Sequence, residues 1–332
     1  MSRVLVTGGA GFLGSHVADA LIGRGHDVTV LDDLTGGFAG NVPPAARFVH
    51  GSVTDAPLVD AVFAAGAFAH VYHLAAYAAE GLSHFIRRFN YTNNVIGSVN
   101  VTNASVNTDV RTIVFTSSIA AYGTGPALPV TEAMSPQPED PYGIAKYAVE
   151  LDLRACHEMF GLDYVIVRPH NVFGPRQNIG DRYRNVVGIF MNQILQGRPM
   201  TIFGDGTQTR AFSYVDDVAP LIAECVDVPA ARNQVFNVGA DAPCSLNDLA
   251  GYVAAAMGAP PAVVHLPPRR EVQHVYAAHD AARRVFGVRP ETPLREGLAR
   301  TVAWVRQHGA RASAPFGAIE IDRNLPEAWR DR

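Results

Sequence analysis

Between residues 1 and 170, short apolar runs alternate with longer stretches of helical pattern. The runs RVLVT (3–7), DVTVLD (27–32), RFVHG (47–51), HVYHLA (70–75), TIVFTS (112–117) and YVIVRP (164–169) predict strands. Strands that read as continuously apolar and are separated by helices belong to a parallel sheet covered on both faces. The pattern therefore predicts an α/β fold with a doubly wound parallel sheet. Beyond position 170 it loosens, with QNIGDRYR, FGDGTQTR and HLPPRREV placing polar, Gly- or Arg-bearing loops between short elements. Two unequal parts follow: 1–170 carries the sheet. The second, 171–332, forms a smaller C-terminal lobe that builds a pocket over the sheet, with some chain crossing back to it.

Composition narrows the partners. The 332 residues are 48% hydrophobic and 17% charged with a net charge of −4, ample for a large core. No basic run or pole is present, which argues against nucleic acid or an anionic membrane as main partner. Positions 56–79, APLVDAVFAAGAFAHVYHLAAYAA, are long and apolar enough to suggest a membrane span. Asp60, His70 and His73 interrupt the stretch, and it divides better into a helix, a turn at Gly66 and a strand. Cys156, Cys225 and Cys244 are odd in number, far apart and free of any C-x-x-C pattern. They read as reduced thiols of a cytoplasmic protein. MSRVLVTGG runs into its strand with no feature of a signal peptide. The 12 histidines show no metal-ligand spacing, so no metal is expected.

The first strand ends in TGGAGFLGSH, which sets Gly8, Gly11 and Gly14 three apart, around Phe12 and Leu13, at the opening of a helix. Such glycines permit a tight turn, close approach of backbone to a pyrophosphate, and close helix–strand packing; the helix N-terminus favours the negative charge. Asp32 ends the second strand, beyond the helix that Gly14 opens, and is placed to accept the ribose hydroxyls of an adenosine. The sequence after it, DLTGG, has no arginine for a 2′-phosphate, so a Rossmann-type site for NAD rather than NADP is expected.

PYGIAKYAVE (141–150) places Tyr142 and Lys146 one helical turn apart on one face. A surface pair of this kind stabilises little. Beside a dinucleotide it acquires a role: hydride removal from an alcohol carbon requires loss of the hydroxyl proton, and a lysine ammonium lowers the pKa of the phenol that takes it. Ser118, at the end of the fifth strand, is placed to hydrogen-bond the same substrate oxygen.

At these residues the chain resembles the extended short-chain dehydrogenase/reductase superfamily, and within it the nucleotide-sugar epimerases of the UDP-glucose 4-epimerase type. The resemblance rests on TGGAGFLGSH, HLAA (73–76), TSS (116–118), Tyr142-x-x-x-Lys146, RPHNVFGPRQN (168–178) and IFGDGTQTRAFSYVDDV (202–218). It implies that Leu74, Ala75 and Ala76 lie beneath the cofactor, with Asn94 near it. It implies that Asn171, Asn185, Val186, Arg210 and Arg269 hold a sugar-nucleotide diphosphate, and that Thr201 and Phe203 flank its base. UDP-sugars are favoured, with dTDP-, GDP- and CDP-sugars open. Relatives pair helices corresponding to about 90–107 and 140–160 into a homodimer. Three departures stand out. Ser52 replaces the usual acid near the adenine, leaving backbone at Val53 for that contact. The loop YAAEGLSHFIRRFN (77–90) brings Glu80 and His84 toward the sugar. The residue limiting sugar size falls at Val275 or Tyr276.

Dehydratases and decarboxylases of the superfamily place an acid just after the serine or threonine, where this chain has Ile119, Ala120 and Ala121. Oxidation at C4 and re-reduction on the other face is then the economical expectation. The alternatives are a dehydratase using Glu80 as acid–base and a catalytically silent NAD-binding sensor.

Overall fold

The computed structural model describes residues 1–125, 127–311, 317 and 319–330. Its centre is a seven-stranded parallel sheet. Six strands are those expected: β1 (Arg3–Thr7), β2 (Asp27–Asp32), β3 (Arg47–His50), β4 (His70–His73), β5 (Thr112–Thr116) and β6 (Asp163–Pro169). The order is Gln234–Val238, β6, β5, β4, β1, β2, β3. Connections leaving β1 run one way and those leaving β4 the other, so the strand order reverses between these neighbours. The crevice at the carboxyl ends there is where such sheets bind ligands.

Both faces of the sheet are buried, which is why the strands read as unbroken apolar runs. Along β1, Val4 and Val6 join a core with Val17 and Leu21 of helix α1 (Phe12–Gly23) and with Val218 and Ile222. Leu5, between them, points to the opposite core, with Phe63, Val101, Ile113 and Leu153. Every residue of β5 is buried. Positions 56–79 divide as expected into helix α2 (Ala56–Gly66), a left-handed Ala67 and then β4. Among the described residues, no helix is long and apolar enough to cross a membrane.

The pattern predicts that some chain of the lobe crosses back to the sheet, but the strand Gln234–Val238 is not among the runs it marks. It pairs parallel to β6 at the sheet edge, Gln234 opposite Val165 and Val238 opposite Pro169. The segment 1–170 therefore does not complete the sheet. The rest of the lobe is built from short pairings, Met200–Phe203 with Val263–Leu266 and Thr209–Ala211 between Pro243–Ser245 and His274–Val275. A separate apolar cluster joins Tyr77, Leu82 and Ile86 to Leu325 and Trp329 near the C-terminus.

Candidate active site

One cleft of about 1020 Å³ runs from the glycine loop across the ends of β1, β4 and β5 into the lobe. At its first end Gly8, Gly11, Phe12, Leu13 and Gly14 line the wall. Gly8 has φ +74°, and a Cβ there would lie 2.6 Å from the Ala75 nitrogen. A Cβ at Gly14 would run into the Gly8 carbonyl oxygen. These positions must be glycine for the loop to fold against the start of α1. Asp32 also lines the cleft; its carboxylate accepts from the backbone N–H of Ala10 at 3.0 Å and of Leu34 at 2.8 Å. Burial raises its pKa, with those hydrogen bonds working against the rise. A carboxylate has about four lone-pair sites, so two fixed donors leave capacity for ribose hydroxyls. The cradle and the acid fit a dinucleotide.

Leu74, Ala75 and Ala76 line the floor. They sit where β4 ends, and a buried polar stitch holds that end: His73 hydrogen-bonds Thr7 at 2.7 Å and Ser98 at 2.8 Å. Val53 lines the cleft as well, whereas Ser52 does not; its hydroxyl pairs with Thr54 at 3.0 Å. Asn94 is also absent from the lining. Buried at 1% exposure, it accepts from the Tyr77 N–H at 2.8 Å and donates to the Tyr77 carbonyl at 3.2 Å. Asn94 therefore shapes the loop above the cleft, and Asn93 lines it instead.

Ser118, Tyr142 and Lys146 meet in the middle of the cleft. Asp140 caps the helix Pro141–Phe160 by accepting from Gly143 N–H at 2.9 Å, and Pro141 occupies its first turn. Tyr142 and Lys146 follow one turn apart, the Lys146 Nζ 5.9 Å from the phenol ring centroid. Nζ donates to the Thr116 carbonyl at 2.7 Å, and burial lowers its pKa to about 7 while Glu150 opposes the drop. The sequence leads one to expect that lysine holds the phenol down. In the structure burial dominates and pushes Tyr142 well up; the hydrogen bond with Ser118 lowers it, and Asp140 and Glu80 add to the rise. Behind the trio, Ser117 donates to Glu150 at 2.5 Å and Arg168 forks onto the same carboxylate at 2.9 and 2.5 Å. This fully buried pair ties the helix of Tyr142 and Lys146 to β6, a link that no local pattern announces.

At the lobe end, Asn171, Asn185, Val186, Thr201, Phe203, Arg210 and Arg269 all line the cleft. Asn171 and Asn185 have φ +42° and +64° and donate to the Ala211 and Val172 carbonyls at 3.1 and 2.7 Å. Arg210 is tied to the carbonyls of Thr209, Val272 and Gln273. Tyr276 does not reach the cleft, nor does Val275, which is buried beside Ile119 and Tyr122. The reason is local pairing: Val130 N–H donates to the Tyr276 carbonyl and Ala278 N–H to that of Val130, drawing this chain aside. Glu80 lines the cleft but His84 does not. Burial raises Glu80, with Arg210 and Arg269 pulling it back, and burial with Glu80 nearby raises Asp140 to about 7. Ile119, Ala120 and Ala121 put no carboxylate after Ser118. An arginine does approach the loop after Asp32, from far along the chain: a Cβ at Gly36 would lie 2.9 Å from Arg184 Nη1. Asp181 pairs with that guanidinium at 2.5 Å.

Comparison with known proteins agrees with this geometry. The chain is 38% identical over 311 residues to the UDP-glucose 4-epimerase of Mycolicibacterium smegmatis, an alignment covering 92% of this chain and 98% of that one. Among solved structures it resembles the UDP-glucose 4-epimerase of Thermotoga maritima with UDP-glucose, at a TM-score of 0.87 and 35% identity over 92% of this chain and 99% of that one. It also resembles the Thermus thermophilus UDP-glucose 4-epimerase complex with NAD, at a TM-score of 0.84 and 33% identity over 93% of this chain and 100% of that one. Residues 4–239 match a single family, and with the glycine cradle, Asp32 and the Ser118–Tyr142–Lys146 set in one cleft, the chain belongs to the NAD dependent epimerase/dehydratase family.

Proposed function

We propose that the protein interconverts the C4 epimers of a nucleotide-diphosphate sugar, with UDP-glucose and UDP-galactose as the first candidates. The observation that carries this reading is the Ser118–Tyr142–Lys146 set, open to a cleft whose ends suit a dinucleotide and a diphosphate, with no acid after Ser118. NAD, held by Gly8, Gly11, Gly14, Asp32 and Lys146, supplies the acceptor and later the donor of the C4 hydride. Tyr142 takes the proton of the C4 hydroxyl and returns it, and Ser118 orients that oxygen by a hydrogen bond. Burial makes the phenolate a strong base that needs positive charge nearby, which Lys146 in its protonated form, together with the nicotinamide ring of bound NAD, would supply. Arg210 and Arg269 anchor the diphosphate while the 4-keto sugar turns its other face toward the cofactor.

The test is incubation with UDP-, dTDP-, GDP- and CDP-sugars, with products read by NMR and mass. Epimerisation leaves the mass unchanged. Loss of water would move the reaction to the dehydratase reading, which has one observation in its favour, Glu80 inside the cleft with its pKa raised by burial. We also propose a homodimer. Ile144 and Leu151, two turns apart on Pro141–Phe160, are 41% and 47% exposed, and Ile96 on the neighbouring helix is 51% exposed. Two such faces would pair as a four-helix interface. A monomer mass at micromolar concentration rules it out.

A further inference from the structure

Residues 319–330 lie outside every motif that led to the site, yet they form part of its wall. Ala328 and Trp329 line the same cleft as Tyr142. The segment is fastened to two separate parts of the molecule. Its Glu320 carboxylate accepts from the N–H groups of Arg88 and Phe89 at 2.8 and 2.9 Å, capping the helix Arg87–Tyr91, and Glu320 N–H donates to the Phe85 carbonyl. At its other end the Ala328 carbonyl accepts from Arg182 at 2.6 Å. Between them Leu325 and Trp329 are each 6% exposed, packed with Leu82 and Ile86.

The Trp329 ring meets Tyr183, Phe203 and Phe85 edge to face, with centroids 5.5, 5.8 and 6.2 Å apart. The Arg269 guanidinium stands 4.6 Å from the Phe203 centroid and 5.6 Å from that of Trp329. Glu271 grips the same guanidinium through Nε and Nη2 at 3.1 and 2.8 Å. Arg269 is thereby held on one edge by a carboxylate and across its plane by two aromatic rings. Opposite stands Gly81, where a Cβ would lie 3.2 Å from Trp329 Cη2 and 3.3 Å from Arg269 Nη1. The sugar-side loop thus leaves room for both side chains.

We propose that residues 319–330 complete the diphosphate end of the substrate site, with Trp329 the positioning residue that fixes Arg269 for a nucleoside diphosphate. This rests on the nucleotide-sugar reading above. Trp329 acts through Arg269, so its removal weakens binding in both ground and transition states and raises KM more than it lowers kcat.

The test is titration calorimetry with UDP and with uridine on NAD-loaded protein, comparing wild type, Trp329→Ala, Trp329→Phe, Arg269→Ala and the double variant. The expected result is UDP affinity down about tenfold in Trp329→Ala, mostly restored in Trp329→Phe, with uridine affinity changed far less. In the Arg269→Ala background Trp329→Ala should cost little more, because the two act together. Unchanged UDP affinity in Trp329→Ala, or a full loss persisting without Arg269, overturns the proposal. Should Trp329→Ala fail to fold, two milder variants decide. Gly81→Ala, which crowds both side chains, should weaken UDP. The chain has 2 tryptophans, so Trp304→Phe leaves Trp329 as the sole indole, and saturating UDP should shift its emission. No weakening in the first or no shift in the second also overturns it. Wild type that fails to bind UDP would overturn the nucleotide-sugar reading together with this one.

Discussion

The two ends of the cleft are built in different ways. At the cofactor end, contiguous backbone from Gly8 to Gly14 makes the wall, and one carboxylate from the adjacent strand closes it. At the substrate end, side chains do the shaping, and Glu80, Asn171, Arg210, Arg269 and Trp329 arrive from separate, distant segments. The first end tolerates no added atom, because backbone packs on backbone. The second tolerates repacking, because its members are held by hydrogen bonds and ring faces that can shift. A cofactor common to a family suits the first construction, and a variable substrate suits the second.

The middle of the cleft, where the ends meet, gives the largest expected effect. Tyr142→Phe removes one hydroxyl and should lower kcat by roughly 10²–10⁴, about 3–5 kcal/mol of barrier, while NAD content and UDP affinity stay near wild type. Near-normal turnover would pass the proton role to another group, with Glu80 the first suspect. Gly14→Ala sharpens the contrast between the ends. Overpacking against the Gly8 carbonyl should cost about 1–3 kcal/mol of stability and most of the bound NAD, read by thermal melting and cofactor release. A substitution of similar size at Thr201, to valine, should leave NAD content alone, and equal loss from both would erase the distinction drawn here. Ser118→Ala removes a positioning hydrogen bond and leaves the base, so a fall in kcat of about tenfold is expected.

The smallest effect concerns pH. Asp140 is raised to about 7 in the folded chain by burial and by Glu80, against about 4 when unfolded. Between those values the folded state holds the extra proton, so this group's contribution to stability is present at low pH and falls as pH rises toward 7, by at most about 1.4 kcal/mol per pH unit. Asp140→Asn keeps an acceptor for the Gly143 N–H and should flatten that decline in denaturant midpoints measured from pH 4 to 7. A slope identical to wild type would remove Asp140 as its source.

What was legible from the sequence was whatever depends on neighbours along the chain. Strand alternation, helix period and glycine spacing are local, so six strands, the glycine cradle, Asp32 and the Tyr142–Lys146 spacing could be read directly. Ser118 was placed by its position at the end of the fifth strand, Arg210 and Arg269 were reached through resemblance, and the structure brings all three to the same cleft. Where local pairing competes with the cleft, a candidate stays out of its lining: Asn94 turns to the Tyr77 backbone and Tyr276 is drawn aside by Val130, while Ser52 pairs with Thr54 and leaves Val53 at the cleft. The strand Gln234–Val238 joins an edge whose partner, β6, lies far earlier in the chain, a separation that no period encodes. The tertiary structure alone decided that Arg168 neutralises Glu150 behind the catalytic helix, that Arg184 approaches the loop after Asp32, and that Trp329 walls the substrate end. Contacts of that kind depend on where the completed sheet carries each loop. Chain separation between the partners says nothing of it, because a fold brings together whatever its layers place side by side.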